Sequence, residues 1–215
     1  MDKIKRKKFY TTGEEIANSI AHGAGAALSV AALAILAATS AQTGEVLKIT
    51  SFILYGSTLV ILYISSTLYH ALTNEKAKTV FRYMDHISIY FLIAGTYTPI
   101  TLVLLGGNIG WTLFSIVWGL ALAGTVFKVL FFGKYEWVSV LIYILMGWMV
   151  VFAIKPVMEV MPVDMFFWFL AGGLFYTFGV IFYAIHKVKY FHFIWHLFVI
   201  AGSVAHFLGV VLYLV

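Results

Sequence analysis

Residues 191–214 read FHFIWHLFVIAGSVAHFLGVVLYL, a run of 24 positions without a single aspartate, glutamate, lysine or arginine. At about 1.5 Å per residue such a helix is about 36 Å long, enough to cross the roughly 30 Å hydrocarbon core of a bilayer. The stretch therefore reads as a transmembrane helix. Comparable apolar runs occupy about 17–39, 47–72, 81–105, 111–132, 136–154 and 163–186. Short connections rich in turn-forming or charged residues separate them, at 42–45, 74–79, 106–110, 133–135, 155–162 and 187–190. The expected fold is an all-α integral membrane protein, a bundle of seven transmembrane helices. Residues 1–16 form a basic amino-terminal segment and residues 17–215 the membrane domain of a multi-pass cell-membrane protein.

Composition supports this reading and removes several function classes. Of 215 residues, 62% are hydrophobic and 11% charged, against about one quarter charged in an ordinary soluble domain. Cysteine is absent, which excludes disulfides, thiolate metal sites and cysteine nucleophiles, so any bound metal must be held by nitrogen and oxygen. A net charge of +5 would suit a nucleic-acid partner if it formed one surface, but the basic residues stand in short clusters between apolar runs. That placement orients a protein at an anionic membrane face, and no nucleic-acid partner is expected. The start, MDKIKRKKFY, resembles a signal-peptide n-region, yet Glu14 and Glu15 follow and no small-residue cleavage site is evident, so it is expected to be retained.

The basic residues set the orientation. Lys3, Lys5, Arg6, Lys7, Lys8, Lys76, Lys78, Arg82, Lys128, Lys134, Lys187 and Lys189 fall on one side, leaving only Lys48 and Lys155 on the other. The positive-inside rule places the amino terminus in the cytoplasm and, after an odd number of spans, the carboxyl terminus outside. Thr12 and Glu15 have the spacing of a capping box that starts the first helix. Pro99, deep in the third apolar run, predicts a bend.

Ionisable residues inside membrane helices are costly and mark functional sites by default. Here they share one depth. His70 ends the second helix, Asp85 and His86 lie early in the third, and His192 and His196 begin the seventh, all within about two turns of the cytoplasm. His192 and His196 are four residues apart, so their side chains leave one helix face at a spacing that suits two ligands of one metal. An isolated HxxxH pair is a weak signal, since two histidines can simply anchor a helix at the interface. The addition of His70 makes three imidazoles, which leaves a fourth tetrahedral position open, the mark of a catalytic zinc. Zinc lowers the pKa of water to roughly 7.

No glutamate adjoins His192 as it would in an HExxH protease, so a base must come from elsewhere. Asp85 suits that task, and Ser66, four residues before His70, would share its cavity and hydrogen-bond a substrate carbonyl or Asp85. Glu14, Asn18 and His22 form a polar stripe on the first helix, read as interhelical hydrogen bonding or a cavity wall, with a place beside the metal as the alternative. His86 is offset by about 100° from Asp85 and should face a neighbouring helix or lipid headgroups. His186 is expected to be solvated. His206 lies about 15 Å beyond His196 along its helix, too far to share an ion, and should make a structural hydrogen bond.

These segments carry a family likeness. Glu14-Glu15-Ile16-Ala17-Asn18-Ser19, Ser65-Ser66-Thr67-Leu68-Tyr69-His70, Asp85-His86 running on to Gly95-Thr96-Tyr97-Thr98-Pro99, and His192-Phe193-Ile194-Trp195-His196 resemble those of the hemolysin III proteins, which belong with the progestin and adipoQ receptors. The resemblance covers nearly the whole chain. It implies a seven-helix bundle with a cytoplasmic amino terminus and a zinc near the cytoplasmic leaflet on His70, His192 and His196, with Ser66 and Asp85 beside it. The wider superfamily includes alkaline ceramidases with the same Ser, Asp and three-His set, which points to hydrolysis of a lipid amide or ester. The short amino-terminal region departs from the receptor branch and argues against an adaptor or hormone-binding role there.

Three functions are compatible with this reading: a zinc-dependent hydrolase with a membrane lipid as substrate, a non-enzymatic sensor or regulator of membrane state with a structural zinc, and a cytolysin as the family name suggests. The last fits the residues least, because a chain this apolar cannot travel through water and shows no soluble-to-inserted switch. Substrate identity and oligomeric state are not encoded in any motif. Gly172 and Gly173 permit close helix contact either within one bundle or between two. A reporter fused after Val215 should behave as extracytoplasmic; a cytoplasmic reading would refute the topology.

Overall fold

The structure is a computed structural model describing residues 10–185 and 187–215. Lys3, Lys5, Arg6, Lys7 and Lys8 of the basic segment, and His186, lie outside the described residues. Among the described residues, seven helices are long and apolar enough to cross a membrane: α1 Thr12–Ala41, α2 Val46–Ala71, α3 Glu75–Leu105, α4 Gly107–Leu130, α5 Glu136–Val160, α6 Val163–Ala184 and α7 Phe191–Tyr213. Helices are the expected solution, because the hydrocarbon offers no partner to a backbone N–H or C=O. Consecutive helices pack side by side, and α7 returns to lie against α1, which closes the bundle. One core fills the space between α1, α2 and α7 with Leu36, Phe52, Tyr55, Leu59, Tyr63, Val199 and Val210; a smaller one, with Tyr90, Val117, Ala121 and Met146, joins α3, α4 and α5. The outward faces carry large apolar side chains such as Val126, Trp137, Phe152, Phe167 and Leu212, suited to lipid.

Several boundaries differ from the sequence expectation, each for a local reason. The capping box of α1 sits one residue earlier than Thr12 and Glu15. Thr11 is the cap: its hydroxyl accepts from Glu14 N at 3.3 Å while Glu14 Oε2 accepts from Thr11 N at 2.8 Å. α3 begins at Glu75 rather than near 81, because Asn74 Oδ1 accepts from the N–H groups of both Lys76 and Ala77 and starts a polar turn ahead of the apolar run. Beyond Pro99 the helix widens into a π-helical turn over Ile100–Leu105, with Gly106 N donating to Thr101 O at 3.0 Å; proline's missing donor breaks the regular ladder there. α5 runs to Val160 through a 3₁₀ segment, Met149–Ala153. The Tyr97 hydroxyl bridges that break, donating to Gly147 O at 2.8 Å and accepting from Val150 N at 3.0 Å.

Close helix contacts depend on small residues. A Cβ on Gly25 would lie 2.5 Å from the Tyr63 ring, so α1 and α2 approach at a distance only glycine allows. A Cβ on Gly172 would lie 2.2 Å from the His206 ring, which assigns Gly172 to contact within the bundle, between α6 and α7. Gly25→Leu should therefore destabilise by about 1–3 kcal/mol through overpacking. Gly119→Leu, at a position with nothing within 4 Å of the added carbon, should leave the thermal unfolding midpoint in detergent nearly unchanged.

Candidate metal centre

The elements that bring the histidines together all end or start at the basic end of the bundle. His70 stands in the last turn of α2, and His192 and His196 in the first two turns of α7. The chain enters α7 through Tyr190, whose left-handed backbone (φ 62°) is uncommon for a residue other than glycine. Its N–H donates to Glu14 Oε1 at 3.0 Å, so the start of α7 is pinned to the first turn of α1.

His70, His192 and His196 each offer a ring nitrogen, and the three nitrogens lie within 4.8 Å of one another, with His70 and His196 buried and His192 half-buried. Such a group could hold a metal ion. The tightest pair is His70 Nε2 and His196 Nε2, 3.3 Å apart. Two lone pairs cannot face each other at that distance without a proton or a cation between them. His70 Nδ1 lies 2.6 Å from Glu15 Oε2, which places its imidazole proton on Nδ1 and leaves Nε2 as the free donor atom.

The surroundings are polar and largely unsatisfied by protein. His22 packs against His196 with ring centroids 3.6 Å apart, and both its nitrogens, together with Asn18 Oδ1 and His196 Nδ1, are buried without a hydrogen-bond partner among the described residues. Asn18 Nδ2 lies 3.5 Å from His70 Nδ1. Buried polar atoms are normally paired, so this concentration beside the triad fits a chamber that receives an ion or a polar ligand group. Ser66 Oγ is buried beside Asp85, and Asp85 in turn lies within electrostatic range of His70, Arg82 and Lys128. Ahead of α1, Tyr10 covers the aqueous side, its ring 4.9 Å from His192 and 5.8 Å from His70. Burial, reinforced by Tyr69, Tyr183, Asp85 and Glu15, pushes the Tyr10 phenol above its ordinary range, so it stays protonated.

The structure thus gathers His70, His192, His196, Ser66, Asp85, Asn18 and His22 at one end of the bundle. Glu14 stands apart, occupied by Thr11 and Tyr190. Its neighbour Glu15 takes the place at the histidine, a contact the sequence reading missed. A signal existed: on a helical wheel Glu15 lies within about 20° of His22, as near to the stripe as Glu14. Assigning Glu15 to the capping box hid it. His86 faces a neighbour, with Nδ1 3.7 Å from Glu136 Oε2, and that glutamate also accepts from buried Lys128. His206 lies 3.1 Å from Phe169 O through Nε2 and stacks on the Phe169 ring, well away from the triad.

Fold and site define a multi-pass membrane protein with a tri-histidine cluster at the basic end of its bundle. A family model described as Haemolysin-III related matches residues 10–207. Among curated proteins, Hemolysin-3 of Bacillus cereus is 44% identical over 200 residues, covering 93% of this chain and 91% of that protein. The Hemolysin-3 homolog of Bacillus subtilis (strain 168) is 44% identical over 206 residues, 96% and 97% of the two chains. Monocyte to macrophage differentiation factor of Homo sapiens is 32% identical over 173 residues, 78% of this chain and 71% of that one. No solved structure gives a significant match. The chain belongs to the haemolysin-III related family.

Purified protein should bind about one divalent transition metal per chain. Free metal at about 1,000 times its Kd should stabilise the fold by about 4 kcal/mol, seen as a raised thermal midpoint. His196→Ala should lose both the metal and the rise; a wild-type chain whose midpoint ignores metal would refute the site.

Proposed function

We propose that the protein is a zinc-dependent hydrolase that cleaves the amide or ester bond of a membrane lipid at the cytoplasmic leaflet. One observation carries the reading: three imidazoles converge within metal-binding distance of one another, and Tyr183, beside His192, also lines an apolar cavity. The donor set fits zinc. With zinc–nitrogen bonds of about 2.0–2.1 Å, tetrahedral ligands stand about 3.3 Å apart, the separation of His70 Nε2 and His196 Nε2. His70, His192 and His196 would hold the ion, and three neutral imidazoles leave a coordination position for substrate or water. Zinc in such a set supplies Lewis acidity toward a carbonyl.

The remaining roles belong to this chain's own side chains. The cavity, about 110 Å³, is lined by Leu92, Ile93, Tyr143, Tyr176, Trp195 and Val199, among others, from α2, α3, α5, α6 and α7. Its scale is near that of the roughly 150 Å³ apolar cavity that accepts benzene, so it suits a length of hydrocarbon chain. Trp195 and Tyr183 line it, and Tyr183 also lies beside the histidine cluster, its ring 6.0 Å from that of His192 and 5.5 Å from that of Trp195. An acyl chain seated there would carry its carbonyl toward the triad. In this reading Asp85 takes a proton from the attacking water and passes it to the leaving group, and Ser66 holds the Asp85 carboxylate or the substrate carbonyl by its hydroxyl. Tyr10 keeps bulk water off the histidines.

The test is release of fatty acid from a panel of ceramides and acyl esters by zinc-loaded protein, followed by mass spectrometry. Asp85→Asn should keep its zinc and lose about 100-fold or more in turnover. Zinc-replete protein that turns over nothing across the panel, with Asp85→Asn indistinguishable from wild type, would instead leave a regulator in which the ion ties α2 to α7. Lysis of red cells by purified wild type but not His192→Ala would attach to this chain the activity in the name of the Bacillus cereus relative.

A further inference from the structure

Glu15 belongs to no part of the mechanism above, yet its carboxylate makes a short contact to His70, closer than the 3.3 Å between His70 and His196. Oε2 lies 2.6 Å from His70 Nδ1, and Oε1 lies 2.9 Å from Lys78 Nζ. Lys78 Nζ also donates to the backbone oxygen of Tyr69, the residue before His70, at 2.8 Å. The contacts close a ring through three helices: His70 and Tyr69 on α2, Glu15 on α1, and Lys78 on α3. Each end of the carboxylate is held, so Glu15 cannot swing away from the imidazole without breaking an ion pair.

We propose that Glu15, locked by Lys78, is a positioning residue for the metal: it sets the tautomer and the orientation of His70 so that Nε2 points at His196 Nε2. This rests on the metal-binding reading of the triad. A neutral imidazole carries one proton, on either nitrogen, and only the Nδ1–H form presents a lone pair at Nε2. A carboxylate acceptor at Nδ1 selects that form, holds the ring plane, and makes the ligand nitrogen more basic. Without it the alternative at hand is Asn18, whose Nδ2 lies 3.5 Å from the same Nδ1. An amide nitrogen is a donor, so a dominant Asn18 contact would demand the opposite tautomer and turn the Nε2 proton toward His196. The 2.6 Å contact against 3.5 Å decides which partner rules in this structure.

The register of the α1 cap is what releases Glu15 for this work. Thr11 and Glu14 satisfy each other and the start of α7, so the next residue along is free to turn its carboxylate toward α2. Moving the cap to Thr12 would consume Glu15 in its own first turn and leave His70 Nδ1 facing only an amide.

The experiment measures zinc affinity of the full chain in detergent by competition with a chromophoric chelator, alongside the thermal midpoint in the metal-free state. Glu15→Gln, which keeps size and removes charge, should weaken zinc about 10–100-fold, the usual cost of losing a ligand's hydrogen-bond partner, while the metal-free midpoint stays near wild type. Glu15→Asp should recover part of that loss. Lys78→Met, which frees Oε1 alone, should weaken zinc by less. Glu15→Gln that binds zinc as tightly as wild type would overturn the proposal while leaving the triad intact. A wild-type chain that binds no zinc would overturn the underlying metal reading. Should Glu15→Gln fail to fold, Lys78→Met decides: weaker zinc at an unchanged metal-free midpoint supports the proposal, and unchanged zinc affinity overturns it.

Discussion

Hydrocarbon offers no hydrogen bonds, so each polar side chain sunk into the bundle must find its partner on a neighbouring helix or hold a ligand. The arrangement at the basic end follows from that constraint. Glu14 reaches Tyr190 N, Glu15 reaches His70, Lys78 reaches both Glu15 and Tyr69 O, and Tyr10 lies over two of the histidines. One turn of α1 thus ties the ends of α2, α3 and α7 to a common point. Deeper in the bundle the same demand joins α2, α6 and α7, where Tyr63 donates to Ser203 Oγ at 2.8 Å and Tyr176 lies 2.8 Å from that oxygen. Among the described residues, buried polar atoms without a partner gather beside the triad, at Asn18 Oδ1, both His22 nitrogens and His196 Nδ1, and the triad has the donor chemistry to hold an ion.

The site and the cavity are two halves of one construction because α7 serves both. Its first two turns carry His192 and His196, and Trp195 and Val199 on the same stretch line the apolar space. Glycine sets the scale of it: with a side chain at Gly25, α1 would stand off from α2, and the 2.6 Å contact between Glu15 and His70 would open.

Much of this was legible in the residues. Uninterrupted apolar runs announced the helices, clustered lysines announced which ends lie together, and the depth of His70, Asp85, His192 and His196 announced a shared site. The misreadings were local. Thr12 and Glu15 satisfy the capping-box pattern as well as Thr11 and Glu14 do, and a one-residue shift in register costs nothing in sequence while it decides which carboxylate faces His70. Hydropathy placed the start of α3 six residues late because Glu75, Lys76 and Lys78 look like loop until Asn74 is seen to cap them. Pro99 predicted a bend, and the structure absorbs it as a π-helical turn.

By itself, then, the sequence determined the class of the protein and the number of spans, because hydrophobic length and helical rise are properties of one segment at a time. Only the tertiary structure decided that Glu15 rather than Glu14 meets His70, that the His22 ring lies against His196, and that Tyr183 stands both beside His192 and in the wall of a cavity. Those facts depend on the rotation of each helix about its axis relative to its neighbours. That rotation is set by side-chain packing across the bundle, by Gly25 against Tyr63 and Gly172 against His206, and no single helix carries it.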